Sequence, residues 1–113
     1  MLEENQFSTE LDSMAIILHA GNAKSSAYEA LIEVKKMNNK LFDEKFAEAK
    51  EEIKLAHKAH AELLRKLSSE EKMKEVDLLL VHAEGHLSST DIAVDMIGEL
   101  GELYKWKETI VNG

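Results

Sequence analysis

The chain has 113 residues, a length that suits one domain with a single core, and we treat residues 1–113 as one domain. Its net charge of −8 argues against nucleic-acid binding, and the lack of cysteine excludes disulfides and thiolate zinc sites. No apolar run approaches the ~20 residues of a membrane span, and the acidic N-terminus does not resemble a signal peptide. We therefore expect a cytoplasmic protein that does not insert into membranes.

The first predicted helix begins near Ser8 or Thr9, where Thr9 and Asp12 can form a capping box. The complete absence of proline favours a few long helices over a sheet-rich fold. Residues 1–8 are expected to be frayed, and two asparagines at 38–39 mark the first turn. Gly21 lies in the middle of this helix, where glycine is unfavourable, so we expect a close contact on the face that carries it.

The second predicted helix carries an unbroken heptad seam, in which apolar positions are spaced alternately four and three residues apart. Such a seam packs against neighbouring helices in a left-handed bundle. Its members are Phe42, Phe46, Ala49, Ile53, Ala56, His60, Leu63 and Leu67.

The third predicted helix starts at about Glu71 or Val76, ends near Lys107, and carries two adjacent seams. The first seam comprises Val76, Leu80, Ala83, Leu87, Thr90, Val94, Ile97, Gly101 and Tyr104. The second seam comprises Leu79, His82, His86, Ser89, Ala93, Met96, Leu100 and Leu103. One seam closes an antiparallel three-helix bundle, so the second needs another partner. We expect an all-α protein that self-associates through helix 3.

His82 and His86 lie one helical turn apart on this second seam. Such a pair is compatible with metal chelation, with a hydrogen-bonded core pair, or with a nucleophile and its helper. A neutral imidazole can accept a phosphoryl group, and His86 and Ser89 could donate hydrogen bonds to it. No serine or cysteine nucleophile motif, phosphate-binding glycine loop or Glu-x-x-His di-iron pair is present.

Three blocks of sequence resemble one family of proteins. Residues 78–87 read LLLVHAEGHL and are similar to the LLVHAQDHLM signature of the lactose/cellobiose-type IIA proteins of the sugar phosphotransferase system. Residues 16–25, IILHAGNAKS, resemble the HAGNARS segment of that family. Residues 56–64, AHKAHAELL, stand where the family has AHxxQTxLI. The likeness runs over nearly the whole chain from about residue 10.

The resemblance implies a three-helix bundle that assembles as a homotrimer through helix 3. It also implies that His82 accepts phosphate from the phosphocarrier HPr and passes it to the IIB component, which serves the membrane transporter IIC. His86 matches a supporting histidine beside the site, and we expect His60 to face the same cleft. An apolar patch around His82 would dock HPr and IIB. The family's substrates are β-linked disaccharides such as lactose, cellobiose and chitobiose.

Two departures from the family signature affect the site. Gly85 replaces an aspartate that in the family lies near the trimer axis, where three copies can hold a metal ion of the magnesium type. We therefore predict that this metal is absent, and we expect no other cofactor. Glu84 replaces a glutamine and would add negative charge near His82, disfavouring phosphohistidine. A regulatory or binding trimer without phosphotransfer, or a histidine-based metal-binding bundle, are the alternatives.

Overall fold

Three long helices form the molecule in the computed structural model, which describes residues 2–69 and 77–112, with side chains over 9–69 and 77–111. They are α1 (Leu2–Lys35), α2 (Asn39–Ser69) and α3 (Leu78–Asn112). No strand occurs in these ranges, which confirms the predicted all-α fold. The bundle measures 64 × 19 × 17 Å. It is elongated because each of the three helices runs along most of its long axis.

Ion pairs between neighbouring helices show that the bundle is antiparallel. At one end of the α1–α2 pair, Lys66 Nζ lies 2.9 Å from Asp12 Oδ2. Further along, Lys45 Nζ lies 3.2 Å from Glu29 Oε2, so the residue numbers rise in one helix as they fall in the other. The same holds for α2 and α3, where Asp43 pairs with Lys105 and His60 pairs with Glu84.

The turn between α1 and α2 satisfies several of the free backbone groups at the facing ends of the two helices. Met37 N–H donates to Val34 O at 3.0 Å and Asn38 N–H donates to Glu33 O at 2.9 Å, which together form a Schellman motif. Met37 takes the left-handed conformation that this motif requires, with φ of 64°. The Asn38 side chain then caps α2 by accepting from Leu41 N–H at 3.3 Å. The turn therefore lies at residues 36–38, slightly before the predicted position at 38–39, and Asn39 is already the first residue of α2.

The predicted helix ends are less accurate than the predicted turn. Helix α1 continues to Leu2, so Thr9 and Asp12 do not cap its start, and the Asp12 carboxylate instead binds Lys66. Helix α3 ends at Asn112 rather than at Lys107. Its first turn is capped by Asp77, whose Oδ1 accepts from Leu80 N–H at 2.8 Å. The alternative starts at Glu71 and Val76, and the side chains of residues 1–8, lie outside the described residues.

The core lies along the predicted seams of α2 and α3. Small side chains dominate on α1, where every fourth or third residue is buried, so the helices approach closely. The buried members of the α2 seam are Phe42, Ala49, Ile53, Ala56, Leu63 and Leu67. On α3 the buried members of the first seam are Leu80, Ala83, Leu87, Thr90, Val94, Ile97 and Gly101. Both predicted seams are thus confirmed over the described residues.

Two glycines of α3 receive phenylalanine rings from α2. An added Cβ at Gly101 would lie 2.1 Å from Phe42 Cζ, and one at Gly98 would lie 2.9 Å from Phe46 Cζ. The two rings stack with their centroids 5.4 Å apart. Gly21, by contrast, has no atom within 4 Å of its added Cβ, so the predicted close contact at that position is wrong for the single chain. No helix, over the residues described, has a stretch apolar enough to span a membrane.

Candidate functional site

The second seam of α3 remains largely uncovered in the single chain. Three of its members are half-buried, whereas the others face solvent. The half-buried members are Leu79, Ala93 and Leu100, and the exposed members are His82, His86, Ser89, Met96 and Leu103. The first seam already packs against α1 and α2, so no helix of the described chain is left to cover this face.

His82 and His86 are brought together on this face. Their Nε2 atoms lie 3.1 Å apart and their rings meet edge to face, with centroids 4.5 Å apart. At this distance one Nε2–H donates to the lone pair of the other Nε2. The pair therefore holds one unprotonated imidazole nitrogen at the helix surface, next to a hydrogen-bond donor.

An open groove surrounds the two imidazoles. Its walls are Val81, His82, Gly85, His86 and Ser89, all from α3. The Ser89 hydroxyl donates to His86 O at 3.2 Å, as expected of a serine one turn along the helix. A Cβ added at Gly85 would meet no atom within 4 Å, so this position leaves open space in the groove. An apolar depression lined by Leu78, Leu79 and Val81 adjoins His82 on its N-terminal side.

Glu84 and His60 lie away from this groove. Glu84 Oε2 accepts from His60 Nε2–H at 2.8 Å, which ties α3 to α2. Because successive helical residues are about 100° apart, the side chains of His82 and Glu84 leave α3 on nearly opposite sides. The structure therefore places the expected extra charge beside His60 and not beside His82. Likewise, it does not bring His60 into the cleft of His82.

The two remaining histidines also pair with carboxylates on neighbouring helices. His57 Nε2 lies 2.7 Å from Asp91 Oδ1, between α2 and α3. His19 Nδ1 lies 2.6 Å from Glu52 Oε2, between α1 and α2. The sequence patterns did not identify these partners, because each carboxylate belongs to the charged flank of a helix. Aligning the helices as antiparallel neighbours, and looking for histidine–carboxylate pairs at the same level along the bundle axis, would have found them.

The residues at the family's metal position do not fit a metal ion. Gly85 offers no side-chain donor, and Glu84, the nearest carboxylate in sequence, is bound to His60. Within residues 2–69 and 77–112, no group of three or more histidine, aspartate and glutamate side chains is placed to hold a metal. A divalent cation of the magnesium type is held mainly by carboxylate oxygens, and among the described residues the groove at Gly85 offers a single side-chain oxygen, the Ser89 hydroxyl.

Comparison with known proteins agrees with this architecture. A family model described as "PTS system, Lactose/Cellobiose specific IIA subunit" matches residues 12–105. The chain is 40% identical over 90 residues to the lichenan-specific phosphotransferase enzyme IIA component of Bacillus subtilis, covering 80% of this chain and 81% of that protein. It is 34% identical over 92 residues to the N,N'-diacetylchitobiose-specific EIIA component of Escherichia coli K12, covering 81% and 78% respectively.

Solved structures agree as well. The crystal structure of the PTS cellobiose-specific enzyme IIA from Bacillus anthracis superposes with a TM-score of 0.81 at 34% identity, covering 89% of this chain and 92% of that one. The IIA(chitobiose) chain solved in complex with HPr from Escherichia coli superposes with a TM-score of 0.78 at 32% identity, covering 88% and 96%. With its sequence and its three-helix fold both matched, the chain belongs to the lactose/cellobiose-specific IIA family of the phosphotransferase system.

Proposed function

We propose that this IIA protein is a phosphohistidine carrier, which accepts a phosphoryl group from phospho-HPr on His82 and passes it to a IIB component. The observation that carries the proposal is the exposed His82–His86 pair, with Nε2 atoms 3.1 Å apart on the uncovered face of α3. Membership of the family, and a relative solved together with HPr, support the same role. The reaction takes place in the cytoplasm, and the phosphate then serves a IIC transporter.

The chemistry suits the geometry of the pair. When His86 donates its Nε2–H, the Nε2 of His82 is the unprotonated nitrogen, and once this hydrogen bond opens its lone pair can attack phosphorus. The P–N bond of the donor phosphohistidine breaks, its electron pair returns to the donor imidazole, and a new P–N bond forms on His82. The His86 N–H is then free to donate to a phosphoryl oxygen, and the Ser89 hydroxyl is one turn further along.

The surroundings of His82 support docking of protein partners. Leu78 is 83% exposed and Val81 is 54% exposed, so apolar surface borders the histidine directly. Exposed apolar surface beside a reactive group is typical of a protein-binding site, and transient partners need only a small interface. The sugar itself would not contact this chain. Two relatives are named as specific for lichenan and for N,N'-diacetylchitobiose, both β-linked sugars, which supports the expected β-linked class as the transported one.

The same exposed seam supports a homotrimer through α3. Met96 and Leu103 are more than half exposed in the single chain and belong to the same seam as the two histidines. Burying such residues stabilises an assembly by about 25 cal/mol per Å² of apolar surface. Because Gly85 carries no carboxylate, the trimer needs no axial metal ion. Its mass, measured by light scattering, should be unchanged by EDTA, whereas dissociation in EDTA would contradict this view.

The experiment that tests the carrier role is intact mass spectrometry in alkaline buffer. The chain is incubated with phosphoenolpyruvate, enzyme I and HPr, in parallel with His82→Ala and the control His57→Gln. We expect one phosphoryl group on the wild type and on His57→Gln, none on His82→Ala, and loss of the group in acid. If HPr is phosphorylated but this chain is not, the carrier role is wrong and a regulatory or binding trimer is the better description.

A further inference from the structure

The geometry of His82 and His86 also meets the requirements of a metal chelate. Zinc binds histidine nitrogen at about 2.0–2.1 Å, so two nitrogens on one ion are separated by about 2.9–3.4 Å for angles between 90° and 110°. The observed separation of the Nε2 atoms, 3.1 Å, lies within that range. A metal ion can therefore replace the shared proton after small rotations of two exposed rings.

These two histidines differ from the other three in their partners. His57, His60 and His19 each have a ring nitrogen held by a carboxylate of a neighbouring helix, at 2.6–2.8 Å. In the described part of the chain, His82 and His86 instead pair with each other through their ring nitrogens. Both Nε2 lone pairs become available when the protons move to the Nδ1 atoms. In the single chain both rings are exposed to water, so a hydrated ion can reach them.

The donor set selects the kind of ion. Over the described residues no carboxylate lines the groove, whose walls are Val81, Gly85 and Ser89 besides the two histidines. Imidazole donors without carboxylates favour Zn²⁺, Ni²⁺ and Cu²⁺ over Mg²⁺ and Ca²⁺. No third histidine, aspartate or glutamate completes the site within the described residues, so the remaining positions belong to water.

We propose that the His82–His86 pair is a binding site for a transition-metal ion, and that bound metal blocks phosphorylation of His82. Binding depends only on the two side chains. The block rests on the proposed carrier function, because metal and phosphorus would compete for the same nitrogen lone pair. Such competition makes phosphotransfer sensitive to free zinc without any effect on the fold.

Metal binding is tested directly by isothermal titration of the purified, metal-free chain with Zn²⁺ at pH 7.5. We expect one ion per chain, and affinity at least about tenfold weaker in His82→Gln and in His86→Gln. The matched control, His57→Gln, removes an exposed histidine whose Nε2 is bound to Asp91, and its affinity should equal that of the wild type. Mg²⁺ should produce no binding heat. Equal zinc affinity in all four proteins, or none in the wild type, would refute the site.

The block is tested with purified phospho-HPr as the donor, so that enzyme I is absent and cannot itself be inhibited. Saturating Zn²⁺ should slow phosphorylation of the wild type and of His57→Gln at least about tenfold, and EDTA should restore the rate. If zinc binds but the phosphorylation rate does not change, the proposed competition is wrong, whereas the metal site itself stands. A chain that binds zinc but is never phosphorylated would refute the carrier function alone.

Discussion

Gly101 is where the packing of α3 against α2 tolerates least change. Its added Cβ would lie 2.1 Å from Phe42 Cζ and 2.7 Å from both Cε atoms, well inside van der Waals contact. Phe42 is only 4% exposed, so its ring has little room to move aside. Overpacking of this kind destabilises by about 1–3 kcal/mol, and an overlap with three ring carbons belongs at the upper end. Alanine recovers about 1 kcal/mol of helix propensity, so Gly101→Ala should be destabilised by about 2 kcal/mol.

Gly21→Ala is the matched control, since it makes the same chemical change in a helix with no atom within 4 Å of the new Cβ. It should gain about 1 kcal/mol from helix propensity alone. Gly98→Ala should fall between the two, because its Cβ would lie 2.9 Å from the half-buried Phe46 ring. The three substitutions thus separate packing from propensity.

Urea unfolding followed by circular dichroism at 222 nm measures these differences, at one protein concentration for all variants. Adding Phe42→Leu to Gly101→Ala should then cost less than the sum of the two single changes, by at least about 0.5 kcal/mol. If Gly101→Ala is as stable as Gly21→Ala, the Phe42 ring does not lie against residue 101 as described. If the free-energy changes of Gly101→Ala and Phe42→Leu simply add in the double variant, the proposed contact between the two residues is wrong as well.

Three further substitutions test particular contacts. Met37→Gly should stabilise the fold by about 1 kcal/mol, since glycine adopts the left-handed conformation of this turn without strain, and a lower unfolding midpoint would contradict this. Asp77→Ala should destabilise by about 1 kcal/mol by removing the cap of α3, whereas Asp77→Asn, which keeps the oxygen, should not. Glu84→Gln should leave the rate of phosphorylation from phospho-HPr within about twofold, because Glu84 faces His60, and a tenfold change would place its charge at His82 instead.

The seams of α2 and α3 were predictable because a heptad pattern depends only on spacing. Leu63 and Leu67 on α2, like Leu80 and Leu87 on α3, are buried where the pattern places them. The uncovered second seam followed from the same argument. One apolar stripe of α3 is buried by the other two helices, so a second stripe has no partner within a three-helix chain.

The helix ends and the direction of single side chains were not predictable in this way. Thr9 and Asp12 satisfy the spacing of a capping box, but α1 runs through them because nothing in the preceding residues breaks a helix and Lys66 takes the Asp12 carboxylate. Glu84 was expected beside His82 because the two are close in sequence. Its actual partner, His60, lies 24 residues away in sequence. The two residues meet because they lie at the same level along the axis of the bundle, which the sequence pattern does not specify.

The groove around His82 supplies only part of what a phosphoryl group needs. Among the described residues, its hydrogen-bond donors besides His82 are the His86 N–H and the Ser89 hydroxyl, and neither carries a fixed positive charge. A phosphoryl dianion needs more donors than these to be stabilised during transfer. The carrier's partners, docking on Leu78 and Val81, would bring the missing charge with them. Transfer would then be fast only inside a complex, because the complete site exists only there, and the short helical chain would need no pocket of its own.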